Sequence, residues 1–359
     1  MPGTPQPVPQ SLLTVGQAAE ARVRRLLDVE IGRWTDVDRD LREPLDSLLA
    51  LVAAGGKRLR PAFCHWAYIG AGGSGNDDLV VDAGAALELL HTFALIHDDI
   101  MDGSDLRRGL PSAHRSFEAL HAGAGWSGDA SAFGVGAAIL AGDLCLSWAD
   151  ELLMTSGFDA ARLASAKAIY DVMRAELMAG QYLDLVEQAR AEGDVARART
   201  VMRYKTAKYT IERPLHLGGA LGGASEHLMA AYSQYGLALG EAFQLRDDVL
   251  GVFGSPEQTG KPTGDDLRCG KQTLLVAHTV ADAEPTLARR FLDLLGSEAI
   301  DDEAMSWMQE LIVDSGALDE VEAAIAHRTD EALNALSAVP AAAADALRAL
   351  AVAATQRHS

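Results

Sequence analysis

Two aspartate-rich segments at the ends of long apolar helical stretches constrain this chain more than any other feature. The first reads His97-Asp98-Asp99-Ile100-Met101-Asp102 and the second Gln244-Leu245-Arg246-Asp247-Asp248-Val249, about 150 residues later. At 3.6 residues per turn, positions i and i+4 share a face, so Asp98 and Asp102 can grip the same cations. Asp99 is rotated about 100° away and belongs behind them. Gln244, Asp247 and Asp248 likewise form one stripe, and Gly251 stands a turn further on, leaving space where another carboxylate could have been. Carboxylates without His or Cys partners suit hard cations such as Mg²⁺, which keep waters and substrate phosphates in their shell. Basic residues follow both clusters: Arg107 and Arg108 after the first, Lys261 and Lys271 after the second. The combination predicts a metal-bound diphosphate between two facing helices.

Helical periodicity runs through most of the chain. Apolar residues recur at three- and four-residue steps over 15–34, 41–53, 83–101, 137–153, 160–192, 196–211, 227–253, 273–281 and 285–295. Three more helices are expected between 302 and 354, and alternating strand patterns are essentially missing. Gly-rich breaks are read at 70–75, 121–128, 218–223 and 254–264, none with the character of an interdomain linker. The expected fold is all-α: a Pro-rich, disordered segment over 1–12, then one large helical bundle over 13–359 around a central active-site cavity.

Composition narrows the partners. A net charge of −20 argues against nucleic acid and against an anionic membrane surface. No apolar run reaches the roughly 18 residues of a membrane span, and the N-terminus lacks a signal-peptide pattern. Cys64, Cys145 and Cys269 are widely spaced and odd in number, so the cytoplasm is the expected setting.

A third constellation, Gly55-Gly56-Lys57-Arg58-Leu59-Arg60-Pro61, places cations after a Gly turn at a predicted helix start, where backbone amides also favour anions. Pro61 is tolerated in a first turn. His91 lies seven residues before Asp98, on almost the same face, as a phosphate donor. Lys205-Thr206 and 181–184 are polar interruptions of long helices that decide nothing alone.

In this order, these segments resemble the trans-isoprenyl diphosphate synthases, the polyprenyl synthetase family, over about residues 40–280. The resemblance implies a usually homodimeric all-α bundle that condenses isopentenyl diphosphate with an allylic diphosphate (dimethylallyl, geranyl or farnesyl). It implies that Asp98 and Asp102 bind two Mg²⁺ and Asp247 a third, supported by Asp99 and Asp248. Arg107, Lys205, Thr206, Gln244, Lys261 and Lys271 then belong to the allylic side, and Lys57, Arg60, His91 and Arg108 to the isopentenyl diphosphate. Family members use bulk upstream of the first Asp to set product length; here those positions are Leu87, Leu90, Phe93 and Ala94. Phe93 beside a small Ala94 is similar to the pattern of geranylgeranyl (C20) enzymes, with farnesyl or longer products as alternatives. An ideal wheel puts Phe93 about 140° from Asp98, off the pocket-facing stripe. A terpene cyclase would need an Asn/Asp…Ser/Thr…Glu motif that the stretch from Asp247 lacks. A non-catalytic partner subunit would be expected to have lost its Asp or Arg residues.

Overall fold

The computed structural model describes residues 10–74, 78–190, 193–256, 262–297 and 300–355. Of the expected disordered segment, residues 1–9 lie outside these, and helix already begins at Gln10. The all-α expectation holds: the described β-structure is one pair of two-residue strands. The chain divides into two compact units, one made of Gln10–His65 with Gly73–Lys167, the other of Trp66–Gly72 with the chain from Ala168 onward.

The first unit contains α1 (Gln10–Thr35), α2 (Arg42–Ala53), the start of α3 (Leu59–Gly70), α4 (Asp78–Met101), strands β1 (Leu106–Arg107) and β2 (Leu110–Pro111), α5 (Ala113–Gly123), α6 (Ala130–Met154) and the start of α7 (Ala160–Arg190). Helix α4 is its axis and packs on α1, α5 and α6. Val80, Leu87, Leu89, Leu90 and Ile96 are all buried, as expected of a helix apolar around most of its circumference. By length and composition, α4 and α6 could each cross a membrane, although the sequence alone offered no uninterrupted apolar run. Their burial separates them: 67% of the α4 window is inside the protein but only 28% of that of α6.

The second unit continues through α8 (Val195–Val201), a π-helix (Met202–Glu212), α9 (Arg213–Gly222), α10 (Glu226–Phe253), α11 (Asp265–Arg268), α12 (Leu274–Asp282), α13 (Pro285–Leu294), α14 (Asp302–Asp314), α15 (Ala317–Ala335) and α16 (Ala341–Thr355). Helix α10 is the axis here, packed against the π-helix, α9, α15 and α16. Buried tyrosines need partners for their hydroxyls. Tyr232 donates to the Ala67 carbonyl at 2.9 Å and Tyr235 to that of Leu347 at 2.7 Å, which fastens α16. The break expected over 218–223 is instead the end of α9. Its glycines admit close neighbours: a Cβ on Gly219 would stand 2.8 Å from the Met229 sulfur. The expected helix over 196–211 exists, but most of it is wound as a π-helix.

Candidate active site

The first acidic motif owes its geometry to how α4 stops. The Ser104 N–H donates to the Asp99 carbonyl at 2.9 Å and the Gly103 N–H to that of Ile100 at 3.3 Å, with Gly103 at φ +62°. This is a Schellman closure, and it makes Asp102 the last residue held in helical register. Its N–H still donates to the Asp98 carbonyl at 2.8 Å, so Asp98 and Asp102 do share a face. Carboxylates at a helix C-terminus oppose the macrodipole, so cations are needed there.

One cation is Arg107. Its Nε donates to both carboxylate oxygens of Asp99, at 2.9 and 3.1 Å, and its Nη2 also reaches Asp99 and stands 3.7 Å from Asp98. Burial lifts the Asp99 carboxyl above its usual range, although Arg107 works against that shift. Burial also opposes the Arg107 charge, but Asp99, Asp98 and Asp102 outweigh it and raise its pKa. Asp99 therefore supports the motif from behind, while the Asp98 side chain keeps 23% of its surface exposed.

Arg108 and Gly109, at φ +53° and +76°, are the two central residues of the hairpin joining β1 to β2, a type I′ geometry. The turn sends Arg108 the opposite way, where its Nη1 donates to the Gly55 carbonyl. Lys57 is exposed and Arg60, in the first turn of α3, is half-buried. Burial and the guanidiniums of Arg60, Arg108, Arg107 and Arg58 push the His91 imidazole well below its ordinary pKa. A neutral imidazole amid arginines retains one N–H to donate to a phosphate.

In the second unit, Asp247 is exposed and Asp248 buried, with the Gln244 amide donating to Asp248 at 2.7 Å. Burial pushes the Asp248 carboxyl well above its usual range; Gln244 resists, and the negative charges of Asp266 and Asp247 add to the rise. Asp266, on α11, was not anticipated, and it overturns the reading of Gly251 as open space. A Cβ at position 251 would fall 1.9 Å from Asp266 Oδ2. The space holds a carboxylate brought from the next helix, itself paired with Lys271 at 2.8 Å. The sequence signal was Asp265-Asp266, a further acidic pair between Lys261 and Lys271. Gly251→Asp should therefore lower activity: the new side chain displaces Asp266 and breaks its pairing with Lys271. Turnover numbers of wild type and variant check this, and a gain in rate would contradict it. Arg246, between the two faces of this motif, donates to both oxygens of Glu322 at 2.5 and 2.7 Å.

Lys205 lies in the π-helix and donates to Asp184 at 2.6 Å, which ties two polar segments into one pair. π-Turns are often found at functional sites. This one is seated by glycines: a Cβ on Gly180 of α7 would stand 2.6 Å from the Lys205 nitrogen, and one on Gly240 of α10 2.5 Å from the Ala207 Cα. Lys261 lies outside the described residues.

The chain-length candidates are inside α4: Leu87 and Leu90 fully buried, Phe93 7% exposed, Ala94 half-buried. The Phe93 ring meets that of His97 in a tilted contact, with centroids 4.6 Å and planes 57° apart, and His97 Nε2 stands 3.2 Å from the Ile139 carbonyl oxygen of α6.

The donor set fits Mg²⁺. Asp98 and Asp102 in the first unit, and Asp247 in the second, offer only carboxylate oxygens, the donors that a hard divalent cation takes. A different group, His278, Asp282 and Glu320, has ligand atoms within 4.8 Å of one another. It contains an imidazole already 3.0 Å from Glu320, lies on α12 and α15, and belongs to neither motif.

The polyprenyl synthetase family model matches residues 41–312. A geranylfarnesyl diphosphate synthase from Aeropyrum pernix is 36% identical over 82% of this chain and 86% of its own length. A geranylgeranyl diphosphate synthase from Methanosarcina mazei is 34% identical over 76% of each. Among solved structures, geranylgeranyl pyrophosphate synthase from Corynebacterium glutamicum, complexed with isoprenyl diphosphate and magnesium, superposes with a TM-score of 0.92. It is 39% identical over 97% of this chain and 99% of that one.

Proposed function

The chain belongs to the polyprenyl synthetase family, and from that premise we propose that it condenses isopentenyl diphosphate head-to-tail with an allylic diphosphate to give a C20 product. The observation that carries the reading is the end of α4, where Asp98 and Asp102 share one face and Arg107 is locked to Asp99 behind them.

Asp98 and Asp102 would hold two Mg²⁺ ions, and Asp247 a third. Bound there, the metal neutralises charge on the departing diphosphate and so lowers the cost of breaking the allylic C1–O bond. The chain's own groups act around it. Arg107, Lys205, Gln244, Lys261 and Lys271 hold the allylic diphosphate, and Asp184 orients the Lys205 ammonium beforehand. Carbonyl oxygens near Lys205 and Thr206, in the π-helix, and the Gln244 amide would stabilise the positive charge left on the allyl group. Lys57, Arg60, His91 and Arg108 hold isopentenyl diphosphate so that its double bond attacks that carbon. The released diphosphate takes the proton lost on forming the new double bond, and no side-chain base is needed. Cys64 and Cys145 are buried thiols, in keeping with a cytoplasmic setting.

The named relatives make products of different length, so the C20 assignment rests on Leu87, Leu90, Phe93 and Ala94. Incubation with Mg²⁺, isopentenyl diphosphate and each allylic diphosphate, followed by chromatography, should yield geranylgeranyl diphosphate; no elongated product would refute the reading. Phe93→Ala removes the ring tilted against His97 and should lengthen the product. An unchanged product would take Phe93 out of the account.

The family resemblance also implies a homodimer, and α6 supports it. Phe133 (38%), Ile139 (40%) and Leu140 (66%) are exposed along this apolar helix, and Trp126 adds an edge-on ring 5.4 Å from Phe133. An exposed apolar stripe of this kind calls for a partner surface, here a second copy. Leu140→Glu should shift the mass measured by light scattering from dimer to monomer; a monomeric wild type would dismiss the assembly.

A further inference from the structure

Arg58 is the one cation of the Gly55–Pro61 segment that faces inward. Its side chain is 8% exposed, whereas Lys57 is exposed and Arg60 half-buried. The Arg58 Nη1 donates to Glu88 of α4, and its Nη2 to the Val52 carbonyl at 2.6 Å and to Glu20 of α1 at 3.2 Å. One guanidinium thus ties the end of α2 to α1 and α4 at the point where the loop turns into α3.

The backbone at Arg58 has φ +47°, a left-handed conformation that a side chain of this size rarely adopts. Such a residue persists only where its surroundings hold it. On the other side of the loop, the Arg108 guanidinium bonds Gly55 and leaves no room for a Cβ on Gly56, which would stand 2.7 Å from Nη2. Arg58 and Arg108 are the only non-glycine residues at positive φ among those described. Both of them grip this one loop.

Glu88 has 3% of its side chain exposed and lies one helical turn before His91. A carboxylate in this position would repel a diphosphate, so any contribution to binding must pass through the arginine it holds. We propose that Glu88 is a positioning residue for the isopentenyl diphosphate subsite, fixing the loop that presents Lys57 and Arg60 by anchoring Arg58. This rests on the assignment of Lys57, Arg60 and His91 to that diphosphate. The electrostatics agree: burial opposes the Arg58 charge, yet Glu88 and Glu20 raise its pKa overall.

The test is steady-state elongation of farnesyl diphosphate with Mg²⁺, varying each substrate in turn, for wild type, Glu88→Gln, Glu88→Asp and Lys57→Ala. Glu88→Gln should raise KM for isopentenyl diphosphate about tenfold, because a small misplacement of binding groups is costly. Its kcat and its KM for farnesyl diphosphate should stay within about twofold, since the other subsite does not use the loop. Glu88→Asp, which keeps the charge, should recover part of the loss. If Glu88→Gln folds with wild-type Tm and leaves the isopentenyl KM unchanged while Lys57→Ala raises it, the positioning role is overturned and the subsite stands. If Lys57→Ala also leaves that KM unchanged, the subsite assignment itself fails. If Glu88→Gln does not fold, Glu88→Asp decides alone: an isopentenyl KM equal to that of wild type, or a parallel change in both KM values, overturns the role.

Discussion

Asp98→Ala should lower kcat for elongation by about 10²–10³-fold, the scale of losing one preorganised group that stabilises transition-state charge. Asp98 has a partly exposed side chain on the face it shares with Asp102, while Asp99 is occupied by Arg107. Stability should move the other way or not at all. A carboxylate in the last turn of α4 opposes the helix dipole, and removing it relieves about 0.3–1 kcal/mol. Rapid-quench single turnovers over a Mg²⁺ titration, with a melting curve beside them, separate the two effects. An elongation rate within tenfold of wild type would remove Asp98 from the metal set; a fall in Tm matching the fall in rate would make its role structural.

Gly240→Ala is expected to have the second largest effect, against helix propensity. Alanine favours a helix over glycine by about 1 kcal/mol. Yet the added Cβ would stand 2.5 Å from the Ala207 Cα and 2.8 Å from its carbonyl oxygen, and backbone cannot swing aside like a flexible side chain. Overpacking of this kind costs about 1–3 kcal/mol. Because the strain falls on the π-helix that carries Lys205 and Thr206, kcat should drop as well, by up to about 10² if those groups shift by an ångström. Gly32→Ala is the control: this exposed glycine of α1 meets nothing within 4 Å, and its replacement should stabilise. Denaturant midpoints and turnover numbers for both variants check the pair. A Gly240→Ala protein as stable and active as wild type would mean that the π-turn relaxes without consequence.

Residues that act through short-range spacing could be read from the sequence. Asp98 and Asp102 share a face because the helix period says so, and the Gly103-Ser104 closure only confirms where that period stops. The order of the basic and acidic motifs was enough to recognise the family. Contacts between segments far apart in the chain were out of reach. Asp266 fills the place read as space beside Gly251, Arg246 turns to Glu322, and the break expected around Gly219 is a packed helix end. In each case the nearest neighbour comes from another helix, and no local pattern encodes it. The π-helix escaped for a related reason: apolar periodicity over 196–211 does not distinguish i→i−4 from i→i−5 bonding.

The sequence by itself determined that the chain is helical, that its aspartates cluster in two motifs, and which side chains share a helical face, since these follow from residue order and a fixed turn angle. Only the tertiary structure decided which charges were already spoken for. Arg107 is held by Asp99, Lys205 by Asp184, Lys271 by Asp266 and Arg58 by Glu88. Ion pairing depends on distances of a few ångströms between side chains, and packing sets those distances where residue spacing cannot.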